Sequence, residues 1–102
     1  MSRTIAATEL KQKLAKGEKL AIVDVRRKAD LDADPQKIPG AQWQDPERMQ
    51  EWSKQLPRDR EVVIYCARGG SVSNSVLDHL HQNKINARFV EGGIAAWKAA
   101  QG

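Results

Sequence analysis

Short apolar runs alternate with polar segments marked by glycine and proline along the whole chain. Leu20-Ala21-Ile22-Val23, followed by Asp24-Val25, is continuously apolar up to its acid, the pattern of a strand buried on both faces of a parallel sheet. Glu61 to Cys66 is a clearer strand, β-branched and central in character. Ala87 to Val90 is a third. Helical spacing fills the intervals. Leu10 and Leu14 share one face of a helix that Thr8 can cap and Gly17 ends. Residues 27 to 37 are polar and carry Pro35, so they read as a loop with one helical turn, and Ile38 to Ala41 as a turn. Asp45-Pro46-Glu47 is a strong helix start: an acid cap, proline at the first helical position, then an acid near the positive end of the dipole. Met49, Trp52 and Leu56 line the inner face of that helix and Pro57 ends it. A further helix opens at Ser71 or Ser73 and runs to about Asn83, with Val76, Leu77 and Leu80 inward. Glu91-Gly92-Gly93 turns into a last short helix holding Ile94, Trp97 and Lys98. Strands alternating with helices predict an α/β class with a mostly parallel sheet.

The length of 102 residues predicts one domain over residues 1–102 with a single layered core. Charge narrows the function classes. There are 17 Lys+Arg against 13 Asp+Glu, a formal charge of +4, but the cations are scattered and the only tight cluster is Arg26-Arg27-Lys28. Nucleic-acid binding calls for a denser stripe with interleaved aromatics, so no nucleic-acid partner is predicted; small anionic substrates suit the charge better. No stretch approaches the roughly 20 apolar residues of a membrane span, and the N-terminal MSRTIAATEL lacks a signal-peptide pattern. The expectation is a cytoplasmic protein with no membrane partner. The one cysteine, Cys66, excludes an internal disulfide framework and a multi-cysteine zinc site and suits a reducing compartment. His79 and His81 are two apart on a helix, so they do not face one another and predict no metal site.

The chemistry concentrates in VVIYCARGGSVSNS, residues 62 to 75. Cys66 falls where a buried strand ends, two glycines follow, and a helix opens. In an open α/β sheet, ligands bind outside the carboxyl ends of strands. Gly69 and Gly70 can turn successive N–H groups inward to form an anion-binding nest. The helix start adds unpaired N–H groups and a positive dipole end. Such donors favour the thiolate, which is the nucleophile, without a base of the Cys–His kind. Arg68 and the hydroxyls of Ser71 and Ser73 are further candidate donors. A cysteine at a strand end is also compatible with an inert buried filler, and spacing alone leaves the two readings level.

With its flanks, this segment resembles the single-domain rhodanese family of sulfurtransferases. Four landmarks occur in order: Ile22-Val23-Asp24-Val25-Arg26 as an apolar strand ending in Asp-x-Arg; Ile38-Pro39-Gly40-Ala41 as a Pro-Gly-Ala turn, with Lys37 where a histidine often precedes it; Val62 to Cys66 as the strand into the catalytic loop; and Gly92-Gly93-Ile94-Ala95-Ala96-Trp97 as the closing Gly-Gly-x-x-x-Trp. The resemblance implies an open, mostly parallel five-stranded sheet with helices on both faces. It implies that Cys66 is the catalytic residue and carries sulfur as a persulfide. Ala67, Arg68, Gly69, Gly70, Ser71, Val72 and Ser73 would then bind substrate. The donor would be a small anion such as thiosulfate, and the acceptor a thiol, cyanide or a protein. No metal or organic cofactor is implied. Asp24 and Arg26 are expected to brace the site by an ion pair rather than to react.

The loop departs from the family pattern. Counted back from Leu80 and Ile85, it reads as one residue longer than the common form, with Ser73 beginning the helix. A longer loop resembles the cell-cycle phosphatase branch, which admits phosphate or arsenate, but that branch ends its loop on an arginine where Val72 stands here. Valine offers no fork of donors to a dianion. A similar ending also resembles rhodanese-like modules associated with chromate resistance. Sulfur transfer therefore ranks first, with a sulfur-relay module of little turnover and a phosphatase or arsenate reductase as alternatives.

Overall fold

The computed structural model describes residues 3–68 and 70–101; Gly69, expected to bind substrate, lies outside the described residues. The chain runs β1 (Thr4–Ile5), α1 (Ala7–Ala15), β2 (Ala21–Asp24), α2 (Lys28–Ala33), β3 (Gln42–Trp43), α3 (Met49–Trp52), β4 (Val62–Tyr65), α4 (Ser71–Gln82), β5 (Ala87–Val90) and α5 (Gly93–Gln101). Short 3₁₀ turns, Pro46–Arg48 and Ser53–Gln55, flank α3. The strands form one five-stranded sheet in the order β1-β5-β4-β2-β3, every pair parallel. The α/β class and the parallel sheet are as the pattern predicted.

Strand alternation divides the core into two layers, one on each face of the sheet. Val23 and Val25 of the β2 segment join Val62, Ile64 and Cys66 against Trp52, Val76, Leu77 and Leu80, so α3 and α4 cover one face. Ile22 joins Val63 and Tyr65 against Leu10, Ile94 and Trp97, so α1 and α5 cover the other. Val62, Val63, Ile64 and Tyr65 are all fully buried, which is why β4 reads as unbroken apolar sequence: each face of a central parallel strand meets helices.

The differences from sequence expectation are local. β1 and β3 have two residues each, too few to show a period. Thr8 does not cap α1; Ala6 precedes the helix and no side chain caps it. The polar stretch after β2 holds six helical residues rather than one turn. The helix expected from Asp45 is broken into 3₁₀, α and 3₁₀ pieces, although Asp45 does cap it, its Oδ1 accepting from the N–H of Glu47 at 2.9 Å. α4 begins at Ser71, the earlier of the two expected starts; Gly70 takes the cap position, and its carbonyl accepts from both the backbone N–H and the side-chain amide of Asn74 at 3.3 Å.

The topology fixes where a ligand sits. β2 leads outward to β3 on one side, and β4 leads to β5 on the other. The carboxyl ends of β2 and β4, paired as Asp24 with Tyr65, are therefore the place where the connections diverge, which is the binding crevice of open α/β sheets. Among the described residues no helix is long and apolar enough to cross a membrane.

Candidate active site

Cys66 follows β4 directly at this crevice and is buried, 6% exposed. Its side chain lies on the α3–α4 face with Val25, Val72 and Val76. The backbone after it is held from the opposite face. The N–H of Ile94 donates to the Cys66 carbonyl at 2.9 Å, and that of Ala95 to the Ala67 carbonyl at 3.3 Å. The start of α5 thus takes two consecutive carbonyls. Among the described residues no peptide bond is cis, and in a trans unit the N–H opposes the C=O. The N–H groups of Ala67 and Arg68 therefore point away from α5. The first turn of α4 meets the same side with N–H groups that have no intrahelical acceptor.

Gly93 makes this clamp possible. Its φ is +63°, and a Cβ there would collide with the Cys66 carbonyl oxygen and stand 2.8 Å from the carbonyl carbon and oxygen of Ala67. The turn Glu91-Gly92-Gly93 is more than a turn: it is the contact through which α5 orients the cysteine loop. The sequence shows it as the Gly-Gly-x-x-x-Trp landmark, whose spacing sets Gly93 against the loop and Trp97 one turn on in the core.

The other predicted residues divide. Ala67 and Val72 are half-buried; Arg68, Gly70 and Ser71 are exposed. Ser73 is fully buried, and its hydroxyl has no hydrogen-bond partner among the described residues. Asp24 and Arg26 lie at the same end of the sheet but on the other face. Both are buried, at 0% and 1% exposure, and their charges meet at 2.7 Å. Arg26 also donates to the carbonyls of Asp34 and Gln36, each at 2.8 Å. The Tyr65 hydroxyl donates to Asp24 at 3.1 Å and accepts from the N–H of Ile38 at 3.3 Å. Burial, then the Asp24 charge, pushes the Tyr65 phenol well above its ordinary range. The Pro-Gly turn serves this cluster: Ala41 donates to the Ile38 carbonyl at 2.9 Å, and Gly40 takes φ +84°, the type II geometry that needs glycine. The cluster pins the 34–38 segment beneath the crevice and leaves the thiol's face open.

A family model, the rhodanese-like domain, matches residues 6–100. The chain belongs to the rhodanese family. Relatives agree: a protein of Allochromatium vinosum named sulfurtransferase is 31% identical over 99 residues, covering 95% of this chain and 89% of that one. A Mycobacterium tuberculosis protein, the probable adenylyltransferase/sulfurtransferase MoeZ, is 33% identical over 96 residues, and the chain spans only 24% of its length. The crystal structure of a rhodanese-like domain protein from Staphylococcus aureus superposes with a TM-score of 0.82 at 32% identity, covering 95% of this chain and 91% of that one.

Within the rhodanese fold, the histidines take structural partners. His79 Nε2 lies 3.1 Å from the Ser53 hydroxyl, and His81 Nε2 lies 2.9 Å from the Ala87 carbonyl. Trp52 and Trp97 are core residues and Trp43 is half-buried, its indole N–H donating to the Arg26 carbonyl at 2.8 Å. Sequence reasoning missed Arg27, Glu47 and Met49, which line an open cleft with Val72 and Val76 on the thiol's face. The signal was available for Arg27: two residues past Val25, it continues the α3–α4 face.

Proposed function

We propose that the chain is a sulfurtransferase that carries a sulfane sulfur as a persulfide on Cys66. The observation that supports it best is the loop clamp: α5 takes the carbonyls of Cys66 and Ala67, which leaves the following amides pointing away from α5 and free for an anion at the loop. In the first step the Cys66 thiolate attacks the outer sulfur of thiosulfate. The sulfur–sulfur bond breaks, and sulfite leaves with its electron pair. The persulfide carries negative charge on its outer sulfur, and these amides and the start of α4 stabilise it electrostatically. In the second step an acceptor thiolate or cyanide attacks that outer sulfur, and Cys66 departs as thiolate. No net charge or electron is left unaccounted for. Asp24 and Arg26 hold the scaffold and do not touch the reacting atoms. Arg68, exposed at the loop, steers the anionic donor.

Intact-mass measurement after incubation with thiosulfate tests this directly. The expected result is an adduct of one sulfur that is absent in Cys66→Ser, with thiocyanate formed when cyanide is added. An unmodified mass and no thiocyanate would sink the proposal.

A further inference from the structure

Beside the thiol's face lies an open cleft of about 390 Å³, at the lower end of the range for small-molecule sites, roughly 300–1,000 Å³. Met49, Val72 and Val76 give it an apolar surface, Val76 from the core cluster that contains Cys66 and the other two packed against that cluster, and Ser71 and Ser75 line it as well. Its rim carries one cation, Arg27, and one anion, Glu47. Neither side chain makes a hydrogen bond or ion pair with any described residue, and both are exposed. Their backbones, in contrast, are fixed. The Arg26 carbonyl next to Arg27 is held by the Trp43 indole, and the N–H of Glu47 by Asp45 at 2.9 Å. Two unpaired opposite charges thus line one cleft together with an apolar surface.

Thiosulfate does not match this cleft. It is smaller than the space, has no apolar part, and would meet the Glu47 carboxylate as well as Arg27. A molecule that matches bears a carboxylate for the guanidinium fork, an ammonium for Glu47 and a short apolar stem between them. We infer that the cleft is the acceptor site for a zwitterionic thiol, an amino-acid thiol or the end of a short peptide carrying one, with Arg27 and Glu47 as its specificity residues. The reaction part of this inference rests on the sulfur-transfer proposal. The bound thiolate attacks the outer sulfur of the Cys66 persulfide, the bond to Cys66 breaks with its electron pair on Cys66, and the acceptor leaves as a persulfide.

Two measurements on the full chain separate the inference from the reading beneath it. Amide chemical-shift titration uses three unreactive probes: S-methylcysteine with both charges, 3-(methylthio)propionate with the anion alone, and 2-(methylthio)ethylamine with the cation alone. S-methylcysteine is expected to bind about 10-fold tighter than either singly charged probe, the scale of one charge-assisted hydrogen bond. It is expected to shift the amides of Arg27, Glu47 and Ser75, and Arg27→Gln and Glu47→Gln should each abolish the preference. Equal or absent binding of the three probes, or shifts confined elsewhere, would overturn the inference whatever Cys66 does. The second measurement loads the protein from thiosulfate and follows discharge by intact mass. Cysteine should discharge it faster than 2-mercaptoethanol, and that ratio should fall about 10-fold in Arg27→Gln. A preference among the probes with no sulfur uptake keeps the zwitterion site and defeats the sulfur-transfer proposal. Uptake followed by discharge that ignores charge keeps the proposal and defeats the site.

Discussion

Arg26 is 1% exposed and uses its guanidinium on Asp24, Asp34 and Gln36, whereas Arg27, the next residue, is exposed and unpartnered among the described residues. They leave the same strand end on opposite faces because side chains alternate along extended chain. One face holds Asp24, Arg26 and Tyr65, where every charge is answered at close range. The other holds Cys66, Arg27 and Glu47, where charges stand open beside an apolar surface. The contrast separates a residue that makes the crevice rigid from one that is free to meet a ligand, although both are arginines at the carboxyl end of one sheet.

The largest expected effect breaks the first half of this contrast. Arg26→Leu leaves the Asp24 carboxylate buried without its cation, and losing one partner of a buried pair costs about 3–5 kcal/mol. Denaturant unfolding should show the free energy of unfolding reduced by that amount, read as a lower midpoint at an unchanged slope. A loss below about 1 kcal/mol, the scale of exposed pairs, would mean that the pair is not braced as the geometry indicates. Next in size is Gly93→Ala. Its φ of +63° disfavours a side chain, and the Cβ would press on the Cys66 and Ala67 carbonyls, so a loss of about 2–4 kcal/mol is expected. Slower sulfur uptake from thiosulfate should accompany it, because the loop amides lose their orientation. Full uptake in a destabilised Gly93→Ala would detach the clamp from the chemistry.

The contrast also marks how far sequence carries. The class, the parallel sheet and the buried strands β2, β4 and β5 were legible, since continuous apolar runs between helical periods admit few other arrangements. The crevice was legible through Cys66 and the glycines after it. The pairing of Arg26 with Asp24 was expected as an ion pair, but its full burial was not, because two charges closing a strand look alike whether solvated or enclosed. Gly93 read as a turn residue, since its contact with Cys66 joins positions 27 apart in sequence. Arg27 was lost in a basic triplet, where composition shows a cluster and only the alternation of β2 separates its members. The start of α4 stayed open between Ser71 and Ser73 because the cap at Ser71 is Gly70, which has no side chain to mark it.

Tyr65→Phe probes the closed face more gently. It removes the bond to Asp24 and leaves the Ile38 N–H without its acceptor, a cost of about 1–3 kcal/mol for a buried group left unpaired. The pH dependence has a definite sign. The folded phenol is raised above its ordinary value by burial and then by Asp24, so folding favours the protonated form. That contribution is complete below about pH 10 and is lost as pH rises towards the folded value. Above pH 10 the natural protein should lose stability more steeply than Tyr65→Phe in urea titrations at stepped pH. Parallel curves would show that neither burial nor Asp24 raises the phenol.

The smallest effect is the most telling for the open face. Arg27→Ala should leave folding stability within about 0.5 kcal/mol of the natural protein, the range of surface substitutions that touch no special feature. The helix that follows does not depend on the guanidinium, since Asp30 and Leu31 donate to the Arg27 backbone carbonyl at 3.0 Å, an acceptor that alanine supplies as well. A loss above about 1 kcal/mol would mean that Arg27 braces the crevice as Arg26 does, and its charge would then be committed to the fold rather than open to a ligand's carboxylate. An unchanged midpoint, set beside the fall expected for Arg26→Leu, would establish that adjacent arginines on alternate faces divide the work of structure and recognition between them.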